Sequence, residues 1–158
     1  MSKRENRMLA RVRLLFVIPS LAMGGAERVM MLLLGNLDRR RFDIRLAVYE
    51  PRFEYGRPDV PITVLKHSKG GSRLVKALNF VYRAWQLRNL IREWRPGLIV
   101  SFMAGPNITA LLARALAFSR CGIAVSERGA PDVTYSSRNP TLRAPRWWGW
   151  AVRCRHRA

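Results

Sequence analysis

Cysteine, histidine and acidic side chains are scarce in this 158-residue chain, and each scarcity excludes something. Two cysteines, Cys121 and Cys154, make no disulfide framework, and no C-x-x-C or His/Cys cluster offers a metal site. This usage points to a reducing compartment. Only 10 acidic residues stand against 29 Lys and Arg, and the resulting +19 implies attraction to an anionic partner. Nucleic acid, a membrane surface and an anionic substrate all qualify. No apolar run approaches the roughly 18 residues that span a bilayer. The G-x-G-x-x-G dinucleotide fingerprint and the Gly-Lys-Ser/Thr of a P-loop are both absent. The basic start MSKRENRMLARVR before an apolar run has the look of a signal peptide, but Pro19, two glycines and an immediate helix argue against that reading.

What is present is an alternation of strands and helices organised around Ile18-Pro19-Ser20-Leu21-Ala22-Met23-Gly24-Gly25-Ala26-Glu27-Arg28-Val29. The apolar run over 12–18 suits a parallel strand covered on both faces. Val29, Met30, Leu33, Leu34 and Leu37 then recur at helical spacing and predict a helix that packs back on the sheet. Gly24 and Gly25 at the junction allow positive φ and close approach to a backbone whose helix end presents N–H groups and a positive dipole. Such a junction suits an anion.

Further strands are expected near residues 43–49, 62–65, 98–102 and 122–126. Met103 to Asn107 reads as a tight turn into a helix from about Ile108 to Phe118. A long helix from about Arg73 to Trp94 carries two apolar sets on roughly opposite faces: Leu74, Leu78, Val81 and Trp85, then Leu87, Leu90, Ile91 and Trp94. Either the helix bends and both sets are core, or one face, with Arg73, Lys76, Arg83, Arg88 and Arg92 nearby, rests on anionic lipid or a partner. The pattern predicts one α/β domain, a Rossmann-like doubly wound parallel sheet over 12–129. A basic arm (1–11) precedes it. An irregular tail (130–158) follows, with six Arg, one Asp, three Pro and the cluster Trp147-Trp148-Gly149-Trp150. In such sheets ligands bind beyond the carboxyl ends of the strands, where Gly24 and Gly25, Ser101 to Asn107, and Ser126 to Arg128 should converge.

P-S-L-x-x-G-G-A-E-R-V after the first strand resembles the N-terminal domain of family-4 retaining glycosyltransferases of GT-B fold. R-P-G-L-I-V-S-F-M-A-G-P-N-I-T-A-L-L-A (Arg95 to Ala113) and A-V-S-E-R (Ala124 to Arg128) are similar to matching blocks in bacterial members that build surface polysaccharides. The resemblance implies transfer of a sugar from a nucleotide-sugar donor to a glycan or lipid-linked acceptor in a cleft between two Rossmann-like domains, the N-terminal one holding the acceptor. It places Gly24 and Gly25 against the donor diphosphate, with Glu27 and Arg28 as loop support, and Ser101, Asn107, Glu127 and Arg128 on the acceptor side. No metal or other cofactor is implied. The family's histidine near the end of the fourth strand has no counterpart, since Ser101-Phe102-Met103 stands there. The family's second, donor-binding domain would start from a linker near residue 130. On this reading the chain is the acceptor half of an enzyme, either a truncated fragment or a subunit completed by a second chain, and inactive alone. It would be cytoplasmic and peripheral at the inner face of the membrane.

The alternative is a basic nucleic-acid-binding module, favoured by the charge and by tail tryptophans that could stack on bases. No RRM, KH or helix-turn-helix signature supports it, and the basic residues are spread over most segments.

Overall fold

The computed structural model describes residues 11–66 and 72–127. Residues 1–10 of the basic arm, the turn at 67–71 and residues 128–158, Arg128 among them, lie outside the described residues, as do the expectations attached to them.

Five strands, β1 (Val12–Ile18), β2 (Phe42–Val48), β3 (Ile62–Val64), β4 (Leu98–Phe102) and β5 (Gly122–Ser126), form one all-parallel sheet in the order β3-β2-β1-β4-β5. Three helices connect them: α1 (Gly25–Asn36), α2 (Arg73–Trp94) and α3 (Ala104–Leu116). The Rossmann-like α/β class expected from the sequence is the one observed. Because side chains alternate across a strand, β1 buries Leu14, Phe16 and Ile18 on one face and Leu15 and Val17 on the other. The first set packs with Met30 and Leu34 of α1. The second packs with Leu87, Leu90, Ile91 and Trp94 of α2 and Ala110 and Ala113 of α3. At about 1.5–3 kcal/mol for each large apolar side chain removed from water, these two layers hold the sheet between its helices.

Three expectations are corrected. α3 begins at Ala104, about a turn earlier than read, because Gly105 and Pro106 sit inside its first turn, where a proline's missing N–H costs no hydrogen bond. Neither Gly24 nor Gly25 takes a left-handed conformation. And α2 does not break into two core segments: it is one continuous helix, and of its first apolar set Leu78 is 59%, Val81 55% and Trp85 51% exposed. Within α2, Arg83 does not join that outer face but turns inward over Tyr49.

Arginines serve the edge opposite the strand carboxyl ends. Arg13 Nη1 donates to Trp94 O (2.7 Å), Arg39 Nη2 to Leu34 O (2.6 Å) and Arg88 Nε to Leu116 O (3.1 Å), all in the last turns of helices. Arg114 Nε donates to Cys121 O (2.8 Å) before β5. A cation suits the negative end of a helix dipole, so part of the +19 is explained without any external anion.

Candidate functional site

The chain leaves β1 toward one edge of the sheet and returns at β4 toward the other, so the crevice at the strand carboxyl ends opens between β1 and β4. Two strand-to-helix junctions flank it. At the first, Gly24 is the N-cap of α1 and no side chain caps the helix. Arg28 N–H donates to Gly24 O at 3.0 Å, leaving the N–H groups of Gly25, Ala26 and Glu27 without intrahelical partners. The Glu27 carboxylate folds back so far over Gly24 that a Cβ there would overlap it, whereas a Cβ on Gly25 would meet nothing within 4 Å. Glycine at position 24 lets the Glu27 carboxylate lie close to the backbone, and a side chain there would displace that flexible group. At position 25 glycine leaves open space beside the helix end. Arg28 is exposed.

The turn is held by the segment between β2 and β3. Leu21 bridges to Phe53, and their neighbours exchange Leu21 N–H to Arg52 O (2.9 Å) and Glu54 N–H to Leu21 O (3.0 Å). Beyond them, Met23 N–H donates to Glu54 Oε2 (3.1 Å) and Gly24 N–H to the Tyr55 hydroxyl (3.3 Å). The partners are 31 residues apart, and no local pattern announces them.

The second junction is strained. Met103, the N-cap of α3, sits at φ 75°, ψ 153°, a region that is essentially glycine's and costs a side-chain-bearing residue about 1–3 kcal/mol. Four hydrogen bonds hold it there. Met103 N–H donates to Ser126 O (2.9 Å), Asn107 N–H to Met103 O (3.0 Å), the Ser101 hydroxyl to Asn107 Oδ1 (2.7 Å) and Asn107 Nδ2 to Ser126 O (3.3 Å). Ser101 and Asn107 are buried. Both lie at the expected strand end, but their polar groups serve this brace, so they position the rim. Glu127, directly after β5, is exposed at the same edge. Met103 itself, 36% exposed, was singled out by no motif.

Between α2 and α3 lies a third group. The Tyr49 hydroxyl, just past β2, donates to Thr109 Oγ1 (2.7 Å), whose own hydroxyl donates to Gly105 O (3.0 Å). Burial pushes the Tyr49 phenol above its ordinary range, against the opposing pull of the Thr109 hydroxyl and the Arg83 charge. Arg83 lies over the ring, 4.2 Å from its centroid.

A parallel sheet with two uncapped helix starts at its switch point is common to many enzymes, so geometry alone names no chemistry. The sequence profile of Glycosyltransferase Family 4 matches residues 23–158, from the glycine turn onward. The chain belongs to that family. No curated protein matches it. Among the described residues no helix is long and apolar enough to cross a membrane.

Proposed function

We propose that this chain is the acceptor-side domain of a retaining, two-domain sugar transferase of GT-B architecture that uses a nucleotide-sugar donor. The open Gly25 position beside the start of α1 carries the reading, because a diphosphate can approach that backbone once the flexible Glu27 carboxylate over Gly24 swings aside. Donor charge is met by helix N–H groups and arginine, with no metal or other cofactor. On this reading a second, donor-holding domain completes the cleft. The acceptor is a glycan or a lipid-linked sugar of the kind used for bacterial surface polysaccharide.

The protein works at the cytoplasmic face of a membrane, to which it binds peripherally. Supporting this, Leu78, Val81, Tyr82 and Trp85 form one exposed stripe on α2, with the Tyr82 and Trp85 rings stacked at 6.3 Å. Arg92 continues the same face and matches an anionic headgroup layer. A nucleic-acid role is disfavoured, since four arginines are committed to backbone carbonyls at the far edge. The test is a transfer assay with a panel of nucleotide sugars, a lipid-linked acceptor and a donor-domain chain. Sugar incorporation that needs both chains supports the proposal; its absence across the panel removes it.

A further inference from the structure

Arg83 is a half-buried cation among groups that do not neutralise it. Its guanidinium stacks on Tyr49, and its Nε is buried with no hydrogen-bond partner. A π-face attracts a cation but cancels no charge, and Tyr49 is held as the neutral phenol at ordinary pH. Among the described residues, the helices and strands packed around it bring no carboxylate. α3 and β4 have no acid, the single acid of α2 is Glu93 about three turns away, and Asp43 lies at the opposite end of β2. Glu50, next to Tyr49, pairs with Arg52 at 3.2 Å. One turn from Arg83, Gln86 clamps the Lys66 backbone through both its amide groups (3.0 and 2.9 Å), so that side chain is committed to the main chain and brings no charge. An uncompensated, partly desolvated guanidinium is costly, and one kept at the carboxyl edge of a parallel sheet calls for an anion that arrives from outside.

We propose that Arg83 is the anion-binding point of the acceptor subsite and takes a phosphoryl group carried by the acceptor. The inference rests on the transferase reading above and narrows its acceptor to a phosphorylated one. Stacking on a ring that Thr109 fixes leaves the fork little freedom, which suits the planar guanidinium to a tetrahedral oxyanion rather than to neutral sugar hydroxyls. The group stands on the α2/α3 side of the sheet, whereas the glycine turn leads into α1 on the other side, so the two anions occupy different sides of the crevice.

The test is titration of the full chain with inorganic pyrophosphate, read on the Nε–H resonance of Arg83 and by calorimetry. The resonance should shift on saturation. Arg83→Met, which keeps the aliphatic stem over Tyr49, should weaken binding about tenfold or more, with Arg83→Lys between and the exposed Arg120→Gln unchanged at fixed ionic strength. Vesicles containing phosphatidylglycerol form a second arm. A shift with pyrophosphate alone places the phosphoryl group on a soluble acceptor, and a shift with vesicles as well admits a lipid-borne one. No shift with either, or Arg83→Met binding within about twofold of wild type, overturns the proposal, and the wild-type resonance decides even if the variant fails to fold. Arg83-dependent binding without sugar transfer, once a donor-domain chain is supplied, would remove the transferase reading and leave this site standing.

Discussion

The Ser101 hydroxyl donates to Asn107 Oδ1 across 2.7 Å, and through that bond the last turn of β4 grips the first turn of α3. The same Asn107 reaches Ser126 O with its amide nitrogen, so one buried side chain ties β4, α3 and β5 together at the rim of the crevice. The brace surrounds the one strained residue of that rim, Met103.

Asn107→Ala should therefore destabilise the fold by about 1–3 kcal/mol, because it strands the Ser101 hydroxyl in a buried site and frees one bond to Ser126 O. Urea denaturation of the two proteins side by side measures it. A loss below about 0.5 kcal/mol would show that the brace is not what holds the junction.

Met103→Gly should act in the opposite direction. Glycine adopts φ 75°, ψ 153° without strain, and the relief outweighs the added freedom of the unfolded chain by roughly 1 kcal/mol. A rise in thermal midpoint is expected; an unchanged or lower midpoint would mean that the Met103 side chain contributes more than its conformation costs.

Tyr49 gives an alkaline prediction. Burial raises its pKa in the folded state above the ordinary 10.0, so the neutral phenol is favoured by folding. That contribution is complete below pH 10 and is lost as pH rises through the raised folded value. Tyr49→Phe should flatten the fall in stability above pH 10, measured by denaturation at several pH values. An unchanged slope would place the alkaline loss elsewhere.

The exposed stripe of α2 predicts membrane behaviour. Sedimentation with anionic vesicles should pull the chain down and neutral vesicles should not, with binding weakened by salt, which screens surface charge over roughly 8–10 Å at physiological strength. Replacing Leu78 and Trp85 together by serine should lower partitioning at least about tenfold, since each apolar side chain is worth up to about 1.5–3 kcal/mol when inserted. Equal binding to both vesicle types would remove the electrostatic part of the idea.

These contrasts show where the sequence was legible. β1, β4 and β5 could be read residue by residue because continuous apolar runs bounded by turn chemistry leave few alternatives. The start of α3 was missed because Gly105-Pro106 imitates a turn, and a proline in a first helical turn is invisible to periodicity. By its charge Arg83 groups with the cations of the outer face, although its spacing from Leu87, Leu90 and Trp94 puts it on their side of the helix, where it meets Tyr49. The Glu54 and Tyr55 contacts join segments 31 residues apart, a separation that no local pattern encodes.

The last prediction concerns activity of the 158 residues by themselves. Transfer between two substrates depends on holding both in a closed, water-poor cleft, where positioning supplies roughly 7–11 kcal/mol of the barrier. One open helix start stabilises an exposed anion by only about 0.3–1 kcal/mol, too little to retain a nucleotide sugar near millimolar concentration. The purified chain should show no turnover with any nucleotide sugar and should gain activity only with a donor-domain chain. In that reconstituted system Gly25→Val should abolish transfer, since its side chain enters the open space where the diphosphate approaches. The fold should stay intact, because a Cβ at that position meets nothing within 4 Å. Robust turnover by the chain alone would overturn the two-part reading, and full activity of Gly25→Val would move the donor diphosphate away from the α1 start.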